Sequence, residues 1–117
     1  MNYDINQIKN LTDAIYDDAV AFRRRLHMNP ELSEHEEKTA AAICEKLDSL
    51  GIEYQSGIAG HGISAVIYGR NRDHGVGIRA DMDALPLTEK AEIPFKSQNP
   101  GVMPLAGCGI RRRRGGT

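Results

Sequence analysis

The hydrophobic period of the chain changes at Gly51, and this change constrains the fold more than any other feature. Up to Gly51 the apolar residues recur at helical spacing, whereas the segments after it are short, β-branched and bounded by Gly, Asn and Asp. The sequence therefore predicts an α/β fold class, with two N-terminal helices followed by β-strands. We expect strands at residues 52–56, 62–69 and 75–83, and extended loop from Ala84 onward, where prolines recur.

The two predicted helices occupy residues 11–27 and 34–50. Asn29-Pro30 ends the first helix, because proline lacks an N–H and disfavours the α conformation of the residue before it. Ser33 and Glu36 form a capping-box pattern before the second helix, and Gly51 stands where a left-handed C-terminal cap is expected. Buried stripes are predicted at Leu11, Ile15, Ala19, Phe22 and Leu26, and at Ala40, Ile43, Leu47 and Leu50.

Length and charge limit the kinds of protein that this chain can be. Its 117 residues suffice for one small domain. The formal net charge is −1, but four of the fifteen basic residues lie at 111–114, which leaves eleven basic against sixteen acidic residues over 1–110. An acidic body gives no reason to expect a nucleic-acid partner. No apolar window of membrane-spanning length or signal-like segment is present, so the sequence predicts no membrane and a cytoplasmic location.

The two cysteines, Cys44 and Cys108, show no metal-binding or redox spacing. We expect no disulfide between them, and Cys44, which follows an apolar run, is predicted to be an inert core thiol.

The stretch "RADMDALP" at residues 79–86 is the best candidate for chemistry. A strand that is apolar at Val76 and Ile78 ends in two carboxylates, Asp81 and Asp83. Acids at the end of a sheet strand stand where ligands commonly bind, and carboxylates can orient metal ligands or hold a charge. The alternative is an aspartate-rich turn with Arg79 as a local ion-pair partner, and from spacing alone this alternative is the more common.

The four histidines give a weaker signal, because none is spaced with another as a helical metal pair. His61 and His74 lie in predicted turns, and His27 at a helix end complements the helix dipole. A structural or solvated role is expected for each of them, His35 included.

Several motifs together resemble a known family. "RRRLHMNPELSEHEEKTA", "LDSLGIE", "GISAVIYG", "GIRADMDALPLTE" and "PFKSQNPGVM" follow one another in the order found in metal-dependent amidohydrolases. This family includes hippurate hydrolase, N-acyl-amino-acid deacylases and indoleacetyl-amino-acid hydrolases, within the aminoacylase and carboxypeptidase metallopeptidases. The resemblance covers residues 21–103 and implies that residues 1–103 are the N-terminal part of a catalytic domain with a zinc-peptidase-like fold.

The resemblance implies hydrolysis of the amide bond of N-acyl amino acids. Complete members carry two divalent ions, which are zinc, manganese or cobalt, and a smaller dimerisation domain, which we expect to be absent from this chain. Asp83 matches the aspartate of the family's "HxDxVP" motif, and Asp81 falls where other branches carry a metal-binding histidine, so both are catalytic candidates. After "GVM" the family continues with its first metal ligands, which this chain lacks. Cys108 lies two positions too late, so no metal ligand is assigned and a truncated, inactive fragment without bound metal is expected.

The ending "PLAGCGIRRRRGGT" at residues 104–117 departs from the family. If Gly109 to Arg112 are encoded GGC-ATA-CGG-CGG, reading from the last base of the glycine codon gives His-Thr-Ala, as the family requires. We therefore predict an out-of-frame, disordered basic tail, which sequencing of the locus would test. Two alternatives stay open: a small binding or regulatory module that uses this tail, and a fragment that does not fold stably.

Overall fold

Two helices and six short strands follow one another in the part of the chain that the structure describes. A computed structural model describes residues 3–104 and 111–112. The helices are α1 (Ile5–Met28) and α2 (Glu37–Ser49), and the strands are β1 (Tyr54–Ile58), β2 (Gly62–Ala65), β3 (Ile78–Arg79), β4 (Ala84–Leu85), β5 (Met103–Pro104) and β6 (Arg111–Arg112). The strands pair antiparallel as β1 with β2, β3 with β6 and β4 with β5. This arrangement confirms the predicted α/β class and the order of helices before strands.

Helix α1 begins six residues before the predicted start at Leu11. Asp4 is its N-cap, and its side chain accepts a 2.7 Å hydrogen bond from the Gln7 amide, while the Asp4 amide donates to the Gln7 side chain at 2.9 Å. This reciprocal capping box satisfies two amides that the first turn leaves without helical partners. The helix ends at Met28, next to the predicted stop at Asn29-Pro30.

The start of α2 corrects the predicted Ser33–Glu36 capping box. The N-cap residue Glu36 makes no side-chain capping hydrogen bond. Instead the Glu31 carboxylate accepts hydrogen bonds from the amides of Thr39 and Lys38, at 2.5 and 3.2 Å, and from the Thr39 hydroxyl at 2.7 Å. The helix is therefore capped by a residue that lies upstream of its own first turn.

The end of α2 has the predicted geometry. Gly51 adopts a φ of 65°, its amide donates to the Asp48 carbonyl at 3.0 Å, and the Ile52 amide donates to the Leu47 carbonyl at 3.0 Å. These two hydrogen bonds form a Schellman motif, in which the residue after the C-cap takes the left-handed conformation that glycine tolerates best.

The apolar stripes are much less buried than the sequence predicts. Leu11 and Ile15 are 58% and 62% exposed, and Leu50 is 59% exposed. Phe22 and Leu26 are only half-buried, as is Cys44, which is therefore not the core thiol that we expected. In the described part of the chain the buried hydrophobic residues are Ala42 and Ala84, so the core is small.

The strands after β1 are shorter than predicted. Of the expected strand at 62–69 the first four residues pair, and of the expected strand at 75–83 two do. Val66, Ile67 and Tyr68 stay exposed. A strand needs a neighbour for its backbone hydrogen bonds, and the described residues supply none along this stretch.

The segment after β4 is mostly irregular, as expected, and is anchored to the end of α1. His27 Nε2 lies 2.8 Å from Glu89 Oε1, and Glu89 Oε2 accepts a 2.7 Å hydrogen bond from the Ser97 amide. The Asn99 side chain donates to the Pro30 carbonyl at 2.7 Å. His27 also packs edge-on against Phe95, with ring centroids 5.2 Å apart. His27 thus has the structural role predicted for it, through a contact distant in sequence.

The helices of the described residues do not have the character of membrane spans. None of them combines the length and the apolar character needed to cross a membrane.

Candidate functional site

The two candidate aspartates lie between β3 and β4, at the end of the predicted strand. The backbone is fixed directly after Asp83, because the Ala84 amide donates to the Glu31 carbonyl at 2.8 Å and Ala84 pairs with Pro104. Ala84 also forms a parallel bridge with Leu32 and is 4% exposed. The backbone contacts of Ala84 therefore fix the position of Asp83, although the strand β3 before it is short.

Both aspartates line a cavity of about 350 Å³. Its walls are the turn before α2, the β1–β2 hairpin turn and the segment from β3 to β4. The lining residues that carry ionisable or hydroxyl groups are Ser33, Glu34, Glu36, His61, Arg79, Asp81 and Asp83.

Asp81 and Asp83 differ in their surroundings. Asp81 Oδ1 lies 3.2 Å from the Arg79 guanidinium, and both side chains are more than half exposed. This is the local ion pair that the turn interpretation predicts. Asp81, its acidic member, also lines the cavity. Asp83 is half-buried, so it is the less exposed residue of the two. The catalytic roles of Asp81 and Asp83 stay a prediction.

Glu36 and His61 join this cavity from elements that the sequence does not connect to the aspartates. Glu36 is 9% exposed, and within the described chain its carboxylate has no hydrogen-bond or ion-pair partner. His61 is half-buried at the hairpin turn and lines the same space. His35 and His74 are exposed. His61 thus lines the same cavity as the aspartates, and the structural or solvated role expected for it stays a prediction.

The backbone around the cavity includes unusual conformations. Among the described residues Glu34 and Ala59 are the non-glycine residues with positive φ, at 69° and 50°, and both line the cavity. Such conformations cost free energy and persist where surrounding contacts impose them. Gly62 is also required at the hairpin, because an added Cβ would lie 2.5 Å from the Ile58 carbonyl oxygen.

Glu31 holds one wall of the cavity in place. Its carboxylate caps α2 and its carbonyl holds Ala84, so one residue connects the Glu34–Glu36 turn with the segment that carries Asp83. Partial burial raises the pKa of the Glu31 carboxyl, but hydrogen bonds from Thr39 and Lys38 outweigh this effect, so its pKa is lowered below 4.5. Glu31 therefore stays ionised in the folded chain at neutral pH.

The described lining of the cavity does not have the ligands that a metal ion needs. Within residues 3–104 and 111–112, no three His, Cys, Asp or Glu side chains come close enough together to bind a metal. Cys108, which the sequence excluded as a ligand, lies outside the described residues, as does most of the predicted tail. The described residues alone therefore do not fit a metal centre, and what they offer is an array of separated carboxylates.

The sequence did not indicate Glu31 or Glu36 as members of this site. Glu36 was assigned to a capping box because of its distance from Ser33, and Glu31 had no assigned role. Their spacing within "PELSEHEE" gave the only signal, and it fits several local structures equally well.

Comparison with known proteins supports the resemblance, although no family model matches the chain. An N-acyl-L-amino acid amidohydrolase of Geobacillus stearothermophilus is 45% identical over 101 residues, which are 86% of this chain and 27% of the relative. Thermostable carboxypeptidase 2 of Saccharolobus solfataricus is 38% identical over 107 residues, which are 88% of this chain and 26% of the relative.

A solved structure agrees with these sequence relatives. The YXEP protein of Bacillus subtilis, a dinuclear metal binding peptidase from the M20 family, superimposes with a TM-score of 0.72 at 36% identity. The match covers 79% of this chain and 26% of that protein. The chain thus spans about a quarter of the length of the relatives it matches. By sequence and by fold, the chain is similar to part of amidohydrolases and of peptidases from the M20 family.

Proposed function

We propose that this chain supplies the aspartate-bearing wall of the active site of a metal-dependent amidohydrolase that hydrolyses the amide bond of N-acyl amino acids. The observation that carries the proposal is the cavity that Asp81 and Asp83 line, in a chain 45% identical to an N-acyl-L-amino acid amidohydrolase. The proposed location is the cytoplasm, which cell fractionation would test.

The role proposed for Asp83 is to hold a negative charge at a fixed position, where it would support the metal site of a complete enzyme. Support comes from its half-buried side chain and from the backbone hydrogen bond that holds Ala84 directly after it. Asp81 contributes a second carboxylate, balanced by Arg79. The resemblance implies two zinc, manganese or cobalt ions in complete enzymes. No step is assigned to them here, because the described residues do not bring three suitable ligands together.

The proposal leads to a direct test on the chain itself. The purified chain is incubated with N-acetyl and N-benzoyl amino acids, with and without added manganese or zinc. We expect no turnover above the rate without protein, since the described residues do not form a metal centre. Metal-dependent turnover by the isolated chain would contradict this expectation.

A chimera tests the role of Asp83 in an active enzyme. Residues 21–103 replace the matching segment of the Geobacillus amidohydrolase, and the chimera is expected to hydrolyse N-acyl amino acids. Asp83→Asn in the chimera should then lower kcat/KM about 10- to 100-fold, the usual cost of losing a group that supports a metal site. The control is Asp73→Asn, which changes an exposed loop residue in the same chemical way. Equal activity of the Asp83→Asn and Asp73→Asn chimeras would overturn the assignment.

A further inference from the structure

We propose that the cavity between the turn before α2, the β1–β2 hairpin turn and the β3–β4 segment binds an organic cation, namely a primary ammonium or guanidinium group, with Glu36 as its main contact. The ligand would be a small molecule or a substrate that carries such a group.

The charges around the cavity favour a cation. Glu34, Glu36, Asp81 and Asp83 supply four carboxylates, and Arg79 supplies one guanidinium. Arg79 pairs with Asp81 at 3.2 Å. Negative charges therefore exceed positive ones in the lining, and a cation is attracted while an anion is repelled.

The surroundings of Glu36 support a cation site independently of the number of acidic residues in the lining. It is nine-tenths buried, lines the cavity and has no side-chain partner among the described residues. No side-chain oxygen in the described part of the chain is both fully enclosed and unpaired, so the Glu36 carboxylate remains accessible. The Glu36 carboxylate therefore has hydrogen-bonding capacity that no described residue uses, and an entering ammonium or guanidinium would supply charge-assisted hydrogen bonds to it.

The separation of the acidic groups favours an organic cation over a metal ion. A bound metal requires several ligands within about 2 to 2.6 Å of one point. The described residues contain no cluster of three His, Cys, Asp or Glu side chains that meets this need. An ammonium or guanidinium group instead donates several hydrogen bonds in different directions, so it can bridge carboxylates that stand apart. A cavity of about 350 Å³ accommodates a ligand of this size.

This inference concerns the same cavity as the proposed hydrolase function but does not depend on it. Binding is measured on the chain directly, without turnover. The cavity can therefore bind a cation even if the chimera is inactive, and the chimera can be active even if no cation binds.

In the test, the full chain is titrated with each probe. Binding is monitored by NMR as the chemical-shift change of the Gly62 amide, because Gly62 lines the cavity. The probes are methylguanidinium and n-butylammonium chloride at constant ionic strength, with neutral isobutyramide and zinc chloride as comparison ligands. We expect saturable shifts with the two organic cations only. Glu36→Gln should weaken their binding about tenfold, because it removes the negative charge that strengthens the hydrogen bonds to the cation.

Two further variants keep the test decisive. Glu53→Gln makes the same chemical change at an exposed residue outside the cavity and should leave the affinity unchanged. Arg79→Gln removes the competing guanidinium from an exposed side chain and should tighten cation binding, so it tests the proposal even if Glu36→Gln does not fold. Binding of isobutyramide or zinc in place of the cations, equal weakening by Glu53→Gln, or no tightening by Arg79→Gln would overturn the proposal.

Discussion

At the scale of single residues, Glu31 contributes most to the geometry of the site. Its carboxylate accepts hydrogen bonds from the amides of Lys38 and Thr39 in the first turn of α2. Its backbone carbonyl accepts a hydrogen bond from the amide of Ala84, directly after Asp83. A carboxylate at a helix N-terminus is favourable because it satisfies free amides and complements the helix dipole. One side chain and its own backbone thus connect two walls of the cavity.

Removal of this cap should destabilise the chain. We expect Glu31→Ala to lower the free energy of unfolding by about 1 kcal/mol, the usual cost of losing an N-cap side chain. Urea titration followed by circular dichroism measures this change. The control is Glu37→Ala, which removes an exposed first-turn carboxylate that makes no capping hydrogen bond. A loss for Glu37→Ala as large as that for Glu31→Ala would contradict the capping role.

The same carboxylate predicts a dependence of stability on pH. The pKa of Glu31 is lowered in the folded chain below its usual value of 4.5, so the unfolded chain takes up the proton first as the pH falls. The contribution of the ionised carboxylate is therefore fully present above pH 4.5 and is lost as the pH falls through the folded pKa. We expect the stability difference between the wild type and Glu31→Gln to shrink below pH 4.5. A difference that stays constant down to lower pH would show that ionisation of Glu31 is not involved.

At the scale of elements, the end of α2 is the best-defined boundary. Gly51 has a φ of 65° and open space where a Cβ would lie, so conformation rather than crowding demands glycine there. We expect Gly51→Ala to lower the free energy of unfolding by about 1 kcal/mol, the cost of a left-handed conformation for a residue with a Cβ. The same urea titration checks it. Gly75→Ala is the matched control, since Gly75 has open space and no positive φ, and equal losses for the two variants would disprove the conformational explanation.

At the scale of the whole molecule, the described chain leaves much apolar surface uncovered. Ile67 and Ile78 are 79% and 68% exposed, and the first turns of α1 expose Ile5, Ile8, Leu11 and Ile15. Apolar patches of this kind on a small chain promote association, and short strands with free edges add to this tendency. The alternative of a fragment that does not fold stably is open for the same reason.

Self-association is therefore expected as the concentration of the isolated chain rises. Sedimentation velocity over a concentration series measures it. The double variant Ile67→Lys with Ile78→Lys should shift the distribution toward monomer, because it places charges on the exposed apolar segments. Thr88→Lys adds a charge at an exposed polar position and should have little effect. A wild type that stays monomeric at every concentration would contradict this expectation.

The sequence alone predicted the features that depend on neighbouring residues. The two helices, the stop at Asn29-Pro30 and the left-handed Gly51 follow from local spacing and backbone preference, and the structure confirms them. The ordered motifs predicted the family, which the relatives confirm. The prediction of an Arg79–Asp81 ion pair succeeded for the same reason, because its partners are two residues apart.

Tertiary structure decided the features that depend on contacts between distant residues. Glu31 replaced the predicted Ser33–Glu36 cap, and His27 met Glu89 across 62 positions of the chain. Glu36 and His61 came to lie beside Asp81 and Asp83. The apolar stripe of α1, which the helical period marks correctly, stayed exposed at Leu11 and Ile15. The physical reason is that periodicity gives the face of an element, whereas burial and pairing require a second surface that only the folded chain can supply.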